Sequence, residues 1–110
     1  LEHFSTTISD AVNFHDAQLL GTRFENTTAL GTDFTRANLS NSSFLGANVK
    51  RAVFRGADLT AVDFHGANLH QADLTDTNVS DDQLHSALSI HNALLPNGTR
   101  AKDRNLVYNG

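Results

Sequence analysis

Acidic and amide side chains recur along this chain at multiples of five residues, and carboxylates that meet in one place can carry out acid–base chemistry. They are Asp33, Asn38, Asn48, Asp58, Asp63, Asn68, Asp73 and Asn78. A regular series of this kind is more typical of turns, where such side chains bond nearby backbone groups. We therefore assign the series a structural role and predict no catalytic residue in it.

Two histidines, His65 and His85, lie 20 residues apart and would pair if the backbone returned on itself with that period. Zinc takes three or four protein ligands. The chain has no Cys, and no clustered Asp or Glu lies in phase with these histidines. We interpret both as solvated surface residues and predict neither a metal site nor a cofactor.

Basic residues are expected around one corner of the structure: Arg36, Lys50, Arg51 and Arg55. Such a patch would suit an acidic partner, although exposed charges are more often simply solvated. We expect Asp33 and Asp76 to lie close enough to weaken its field.

Several Asn residues stand in the N-x-Ser/Thr pattern of glycan acceptors in secreted eukaryotic proteins. They are Asn26, Asn38, Asn41, Asn78 and Asn97. The repeat favours Asn and Ser/Thr at these places, so Asn38 and Asn78 are explained as by-products of the fold. Asn97 lies in the turn-forming run Pro96-Asn97-Gly98 and is the best glycan candidate.

One regularity must position all of these residues, because nearly every fifth residue is apolar. The predicted structural core is Phe14, Leu19, Phe24, Phe34, Leu39, Phe44, Val49, Phe54, Leu59, Phe64, Leu69, Leu74 and Val79. Neither the 3.6-residue period of a helix nor the two-residue period of a flat strand fits this spacing. Ala29 is the one small residue in the series, and we expect Leu30 to compensate for it.

Small or β-branched residues stand two positions before each core residue, as Ala37 stands before Leu39. Residues two apart on an extended segment share a face, so each five-residue unit points two side chains inward. Phenylalanine recurs every ten residues from Phe14 to Phe64. Because a four-sided coil of 20 residues stacks rings on rings, we predict four sides, with about 4.8 Å between neighbouring coils.

The repeat resembles the consensus of the pentapeptide-repeat family, Ala-Asp/Asn-Leu-x-x. The clearest matches are Ala37-Asn38-Leu39, Ala47-Asn48-Val49, Ala57-Asp58-Leu59, Ala67-Asn68-Leu69 and Ala72-Asp73-Leu74. The resemblance implies an all-β fold, a right-handed quadrilateral parallel β-helix. A solenoid of about 3.5 coils is stable only if its neighbouring coils bury one another and both ends are covered.

The chain is expected to contain an N-terminal lead-in and cap over 1–11, the repeat β-helix over 12–80, and a C-terminal capping helix and tail over 81–110. Ser80 and Gln83 form a predicted capping box for a helix over about residues 81–88. Leu84, Ala87 and Leu88 would share its apolar face. In the flanking segments, Ile8 is expected to plug the first coil and residues 106–108 to dock as a strand.

Charge and composition narrow the function classes. With 110 residues, a net charge of −4 and a pI near 5.8, the chain is expected to be one domain that does not bind nucleic acid. It has no apolar stretch long enough to enter and span a membrane and no visible signal peptide. The chain begins at Leu1, which indicates a processed product or a domain of a longer protein.

We predict a non-enzymatic structural or protein–protein interaction module, because a rod filled with side chains has flat faces and no cleft. The chain shows neither the residue order of a Ser–His–Asp triad nor a glycine-rich phosphate loop. A homodimer, if formed, is expected to pair the ends of the solenoid.

The family resemblance raises one alternative, since some members imitate duplex DNA and inhibit or protect topoisomerases. Such mimicry needs continuous columns of negative charge, yet no predicted column carries two acids on adjacent coils. The 20-residue column on one side, for example, is Asn13, Asp33, Val53 and Asp73. About 3.5 coils also span only roughly 17 Å, a few base-pair steps.

Ice or crystal-surface binding is a second alternative, because hydroxyl groups align at 20-residue spacing on one predicted face. The file consists of Ser40, Thr60 and Ser80. Leu20 interrupts the file, and amides and acids flank it, so this function is less favoured than either of the others.

Overall fold

The structure is a computed structural model that describes residues 12–101. The expected lead-in over 1–11, including Ile8, and the expected docking strand over 106–108 lie outside the described residues.

Parallel bridges join the backbone to itself 20 residues later on four faces. Face A contains Asn13, Asp33, Val53, Asp73 and Leu94; face B, Gln18, Asn38 and Asp58; face C, Arg23, Ser43 and Asp63; face D, Thr28, Asn48, Asn68 and Ser89.

Each face contributes one bridged residue per coil, so the described residues form ladders of single bridges rather than extended strands. Two kinds of backbone hydrogen bond connect the coils on face A. The Phe34 N–H donates forward to the Val53 carbonyl at 2.7 Å, and the Asp33 N–H donates back to the Val12 carbonyl at 2.9 Å. Each inner coil is therefore bonded on both sides, as strands are within a sheet.

A turn at each corner carries the chain from one face to the next. The carbonyl of Phe34 accepts a hydrogen bond from the Ala37 N–H at 2.9 Å, and Arg36 between them has a φ of 56°. A positive φ at this position is the signature of a type II turn. Glycine serves this purpose at Gly46, where a Cβ would collide with the side-chain oxygen of Asn26 one coil earlier.

Two columns of phenylalanine rings fill the interior along faces A and C. Phe34 stacks on Phe54 with ring centroids 5.0 Å apart, and Phe24 stacks on Phe44 at 4.7 Å. Phe14 and Phe64 extend the two columns at 5.5 Å and 5.6 Å. The predicted stacking of like on like is present.

Aliphatic side chains fill the interior along the other two faces. They are Leu19, Leu39, Leu59 and Val79 on one side, and Ala29, Val49, Leu69 and Ile90 on the other. Every predicted core residue is buried except Phe14, which is partly buried against the core. The expected compensation by Leu30 is wrong, because Ala29 itself faces the interior and Leu30 is only partly buried.

Helix α1, Asp81–Ser86, interrupts the five-residue repeat. The predicted end of this helix near residue 88 is wrong, since Ala87 already has extended backbone with φ −68° and ψ 153°. Leu84 and Ala87 are buried, but Leu88 is 53% exposed and does not share their face. Beyond α1 the bridges join residues 21 apart, because the helix adds one residue to the coil.

Residues 89–101 return to faces D and A and then reverse direction. Ile90 and Leu95 are buried over the last coil. The predicted turn at Pro96-Asn97-Gly98 is present, and Leu94 pairs in antiparallel fashion with Arg100 beyond it.

Candidate interaction surface

The Asp and Asn side chains of the predicted series bond the backbone of their own corners, except Asn78, which bonds the Leu59 N–H one coil earlier. Asp58 Oδ1 accepts hydrogen bonds from the Thr60 N–H at 3.0 Å and from the Thr60 hydroxyl at 2.6 Å. Side-chain acceptors bond the amide two residues on in the same way at Asn13, Asp33, Asn38, Asn48, Asp63, Asn68 and Asp73. These groups hold the turns together, as their recurrence in the sequence predicts.

The same hydrogen bonds lower the pKa of the carboxyl groups. The Thr60 hydroxyl, the Asn78 amide and the Thr60 N–H together hold the pKa of Asp58 well below its usual range. The Thr35 hydroxyl lowers the pKa of Asp33. Carboxylates stabilised in this way are weak bases, so they are poorly suited to proton abstraction at neutral pH.

The expected single basic corner is wrong, because Lys50 and Arg51 follow face D whereas Arg36 and Arg55 follow face A. Ion pairs neutralise the two arginines that follow face A. Arg36 Nε lies 2.9 Å from Asp16 Oδ1, and Arg55 Nη2 lies 3.1 Å from Asp73 Oδ2. Of the expected neighbours, Asp33 acts electrostatically on Arg36 without forming an ion pair, and Asp76 forms no ion pair within residues 12–101. The 20-residue period places Asp16 one coil before Arg36 at the same corner, which explains the partner that is found.

Stacked histidines are present, but they are not the two that a 20-residue period would bring together. The rings of His70 and His91 stack with centroids 5.2 Å apart and an angle of 14° between their planes. His85 belongs to α1, and the 21-residue offset beyond the helix brings His91 rather than residue 90 beside His70. No group of three or more His, Cys, Asp or Glu residues capable of holding a metal ion occurs within residues 12–101.

The hydroxyl groups of the predicted surface file are engaged within the protein. Ser40 donates its hydroxyl proton to Asn38 Oδ1 at 2.7 Å, and Thr60 donates to Asp58. The Ser80 oxygen accepts a hydrogen bond from the Gln83 N–H at 3.2 Å. This file therefore does not offer a rank of free donors to an ice surface.

The predicted cap residues Ser80 and Gln83 begin helix α1. Gln83 Oε1 accepts from the Ser80 N–H at 2.7 Å, which completes the reciprocal capping box with the Ser80 side chain. Gln83 Nε2 also donates to the carbonyls of Leu59 and Val62 at 2.8 Å and 2.9 Å. One side chain thus caps the helix and ties it to the preceding coil.

A groove of about 550 Å³ lies between α1 and the coil before it. We call it the edge groove. Its lining residues are Thr60, Ala61, Val62, Asp63, Phe64, His65, Asn78, Ser80, Asp82, Gln83 and Ser86. The flat faces expected from the repeat are therefore broken at this place by a concave surface.

Four faces of single bridges, inward Phe and Leu columns and a turn at every fifth residue together define a five-residue repeat. The family model described as the pentapeptide repeat region matches residues 3–74. The chain belongs to the pentapeptide repeat family. The expected resemblance is confirmed, and no curated protein matches the chain significantly.

Two solved pentapeptide repeat proteins are similar to the chain. Rfr23 from the cyanobacterium Cyanothece 51142 is 28% identical with a TM-score of 0.64, and the match covers 66% of this chain and 50% of Rfr23. A protein of the Arabidopsis thaliana thylakoid lumen is 25% identical with a TM-score of 0.65, and the match covers 81% of this chain and 58% of that protein. This chain therefore spans only about half of these relatives.

The family match and these structures indicate no catalytic family. Within the described part of this pentapeptide repeat protein, no helix is both long and apolar enough to cross a bilayer.

Asn97 is exposed on its turn, and its Oδ1 accepts hydrogen bonds from the Thr99 N–H at 3.0 Å and from the Thr99 hydroxyl at 2.6 Å. Glycosylation of Asn97 stays a prediction.

Sequence reasoning missed the edge groove and the role of Asn78 beside it. Asn78 Oδ1 accepts from the Leu59 N–H at 2.7 Å, in the place of a backbone carbonyl of the next coil. The sequence did contain a signal for the groove. The capping box at Ser80 starts a helix directly after the residues that align with face B, so the repeat does not continue onto face C. Beyond this stop, no parallel bridge within residues 12–101 joins Asp58 on face B or Asp63 on face C to a following coil.

Proposed function

We propose that this pentapeptide repeat protein is a non-enzymatic module that binds another protein through its outer surface. The observation that supports the proposal most directly is the filled interior. Phe24, Phe34, Phe44, Phe54 and Phe64 are all fully buried, so side chains rather than a cavity occupy the centre of the described coils. The groups available to a ligand are then those on the faces, on the corners and in the edge groove.

We further propose a right-handed solenoid of about 3.5 coils over residues 12–80, in agreement with the handedness of parallel crossovers. Residues 81–110 would cover its C-terminal end. The burial of Leu84, Ile90 and Leu95 supports this covering role. Residues 1–11 would cover the other end.

Nucleic acid is not a proposed partner, because the net charge is −4 and acids and bases are interspersed. DNA mimicry has no support from the surface either. Val53 separates Asp33 from Asp73 on face A, and Arg55 neutralises Asp73. Pairing of two solenoid ends into a homodimer stays a prediction that sedimentation would test.

Affinity capture from an extract of the source organism, with one charge variant on each face, tests the interaction proposal. The variants are Val53→Lys on face A, Gln18→Lys on face B, Arg23→Glu on face C and Lys50→Glu at the corner where face D ends. We expect the wild-type chain to retain a protein that one of these variants loses and the others keep. Retention that is equal for all variants, or no retention by the folded chain, would overturn the proposal.

A further inference from the structure

The edge groove occupies the place where the next coil would lie on faces B and C. One coil before the groove, the Asn41 N–H donates to the Thr60 carbonyl at 2.9 Å, and the Phe44 N–H donates to the Asp63 carbonyl at 2.8 Å. The equivalent groups 20 residues later, the Ala61 N–H and the Phe64 N–H, therefore face the position that a following coil would occupy. After residue 80 the chain enters α1 instead of continuing along these faces.

Two backbone donors of the coil before α1 have no hydrogen-bond partner among the described residues. Within residues 12–101, neither the Ala61 N–H nor the Phe64 N–H makes a hydrogen bond. Phe64 is fully buried, whereas Ala61 is exposed. Because buried backbone N–H groups are nearly always paired, an unpaired one at a sheet edge indicates a position for an added strand.

Side chains already substitute for the other groups of the missing coil. Asn78 Oδ1 accepts from the Leu59 N–H, and Gln83 Nε2 donates to the Val62 carbonyl. The Ser42 carbonyl is equivalent to that of Val62 one coil earlier, and it accepts from the Asp63 N–H at 3.1 Å. Gln83 thus holds the place that a backbone amide of an added strand would take.

The charge of the groove restricts which ligands can offer acceptors to the Ala61 and Phe64 N–H groups. Asp63 and Asp82 line it, and none of its lining residues is Lys or Arg. His65 Nδ1 lies 2.8 Å from Asp63 Oδ1, so this imidazole is directed at the carboxylate. A phosphate or carboxylate ligand would meet repulsion from the two acids, whereas a neutral carbonyl beside a cationic side chain would not.

We propose that the edge groove binds an extended, Lys- or Arg-rich segment of a partner protein by strand addition. This inference rests on the proposed interaction function and names its site and ligand. Carbonyls of the segment accept from the Ala61 and Phe64 N–H groups, and its basic side chains pair with Asp63 and Asp82. Since Phe64 is buried, the segment reaches its N–H when the Gln83 side chain turns away, and an N–H of the segment then bonds the Val62 carbonyl.

The probe is a labelled peptide of about eight residues with alternating Lys and Val, long enough to cross the groove in extended form. Fluorescence anisotropy measures its binding to the full chain, and a peptide of alternating Glu and Val is the control ligand. We expect binding of the Lys peptide only. Amide hydrogen exchange should show new protection at Ala61 and Phe64 in the complex.

Protein variants separate the groove from general acidity. The double variant Asp63→Asn/Asp82→Asn should weaken binding about five- to tenfold, whereas Asp81→Asn, beside the groove, should change it less than about twofold. Gln83→Ala should bind about fivefold more tightly, because no side-chain hydrogen bond has to be displaced. Circular dichroism confirms that each variant is folded.

Equal binding of the Glu peptide, equal weakening by Asp81→Asn, or unchanged exchange at Ala61 and Phe64 would overturn the groove proposal. Protection of these amides by self-association, detected by sedimentation, would assign the groove to a second copy and also overturn it. If the peptide fails while the capture experiment still finds a face-dependent partner, only the groove proposal falls. Failure of both experiments removes the interaction function itself.

Discussion

The ring of Phe34 meets the ring of Phe44 edge to face, with centroids 5.6 Å apart and an angle of 88° between the planes. Each ring also stacks on a ring of its own column. This combination joins the two columns into one aromatic core, with the edge of one ring against the face of the next. Such geometry is the favourable one for aromatic pairs.

Replacing Phe44 with Ala should lower the free energy of unfolding by about 3–5 kcal/mol, since it removes a fully buried ring and leaves a cavity between two stacked neighbours. Urea denaturation followed by circular dichroism measures the change. Leu45→Ala is the matched control, because Leu45 is 40% exposed and should change stability by less than about 1 kcal/mol. Similar midpoints for the two variants would contradict the inward assignment of Phe44.

Thr32→Val should stabilise the protein by about 1 kcal/mol. Thr32 is fully buried, and its Oγ1 has no hydrogen-bond partner within the part of the chain that the structure describes. Ser42→Ala is the opposite case, because the buried Ser42 hydroxyl donates to the Leu19 carbonyl at 2.8 Å. Thermal melting should rise for the first variant and fall for the second, and the reverse order would refute the assignment of these hydroxyls.

Ala61→Gly should stabilise the protein by about 0.5–1 kcal/mol, even though glycine usually weakens folded structure. Ala61 has a φ of 57°, and the steric cost of this conformation exceeds the backbone entropy that glycine loses on folding. Ala57→Gly, a few residues earlier at a buried position without a positive φ, should destabilise. Equilibrium unfolding of both variants measures the difference, and a loss of stability in Ala61→Gly would count against strain at this corner.

Gln83→Ala should destabilise the protein by about 1–3 kcal/mol, because it leaves the Val62 carbonyl without its donor and breaks the capping box of α1. Gln71→Ala is the control, since Gln71 is an exposed glutamine on a corner. Comparable unfolding curves for the two variants would show that Gln83 does not tie α1 to the preceding coil.

Acid should destabilise the fold below about pH 4. Hydrogen bonds or ion pairs lower the pKa of the carboxyl groups of Asp16, Asp33, Asp58, Asp63 and Asp73 in the folded chain. A group whose pKa is lower in the folded state stabilises the fold above its unfolded pKa of about 3.9, and this contribution is lost as the pH falls through the folded pKa.

Asp58→Asn tests the largest of these effects. Asn38 already fills the equivalent position one coil earlier and accepts from the Ser40 N–H at 3.1 Å, so Asn should keep the corner intact at residue 58. The melting temperature of this variant should depend less on pH between about pH 5 and pH 2 than that of the wild type. An unchanged pH dependence would show that Asp58 is not responsible for acid sensitivity.

The spacing of apolar residues by itself determined the four faces, the inward core and the two phenylalanine columns. A period of five residues with rings at every tenth leaves only the four-sided coil in which like stacks on like. The capping box at Ser80 likewise predicted the start of α1, because a reciprocal cap depends on side chains only three residues apart. These features follow from local pattern repeated many times.

Contacts between separate coils were decided by the tertiary structure. One residue added through α1 changed the offset from 20 to 21 and brought His70 to His91 rather than His65 to His85. The same departure of the chain left the Ala61 and Phe64 N–H groups without a partner within residues 12–101 and opened the edge groove. A periodic pattern specifies what each coil repeats, but what lies beside an interrupted coil depends on the path of the backbone beyond the interruption.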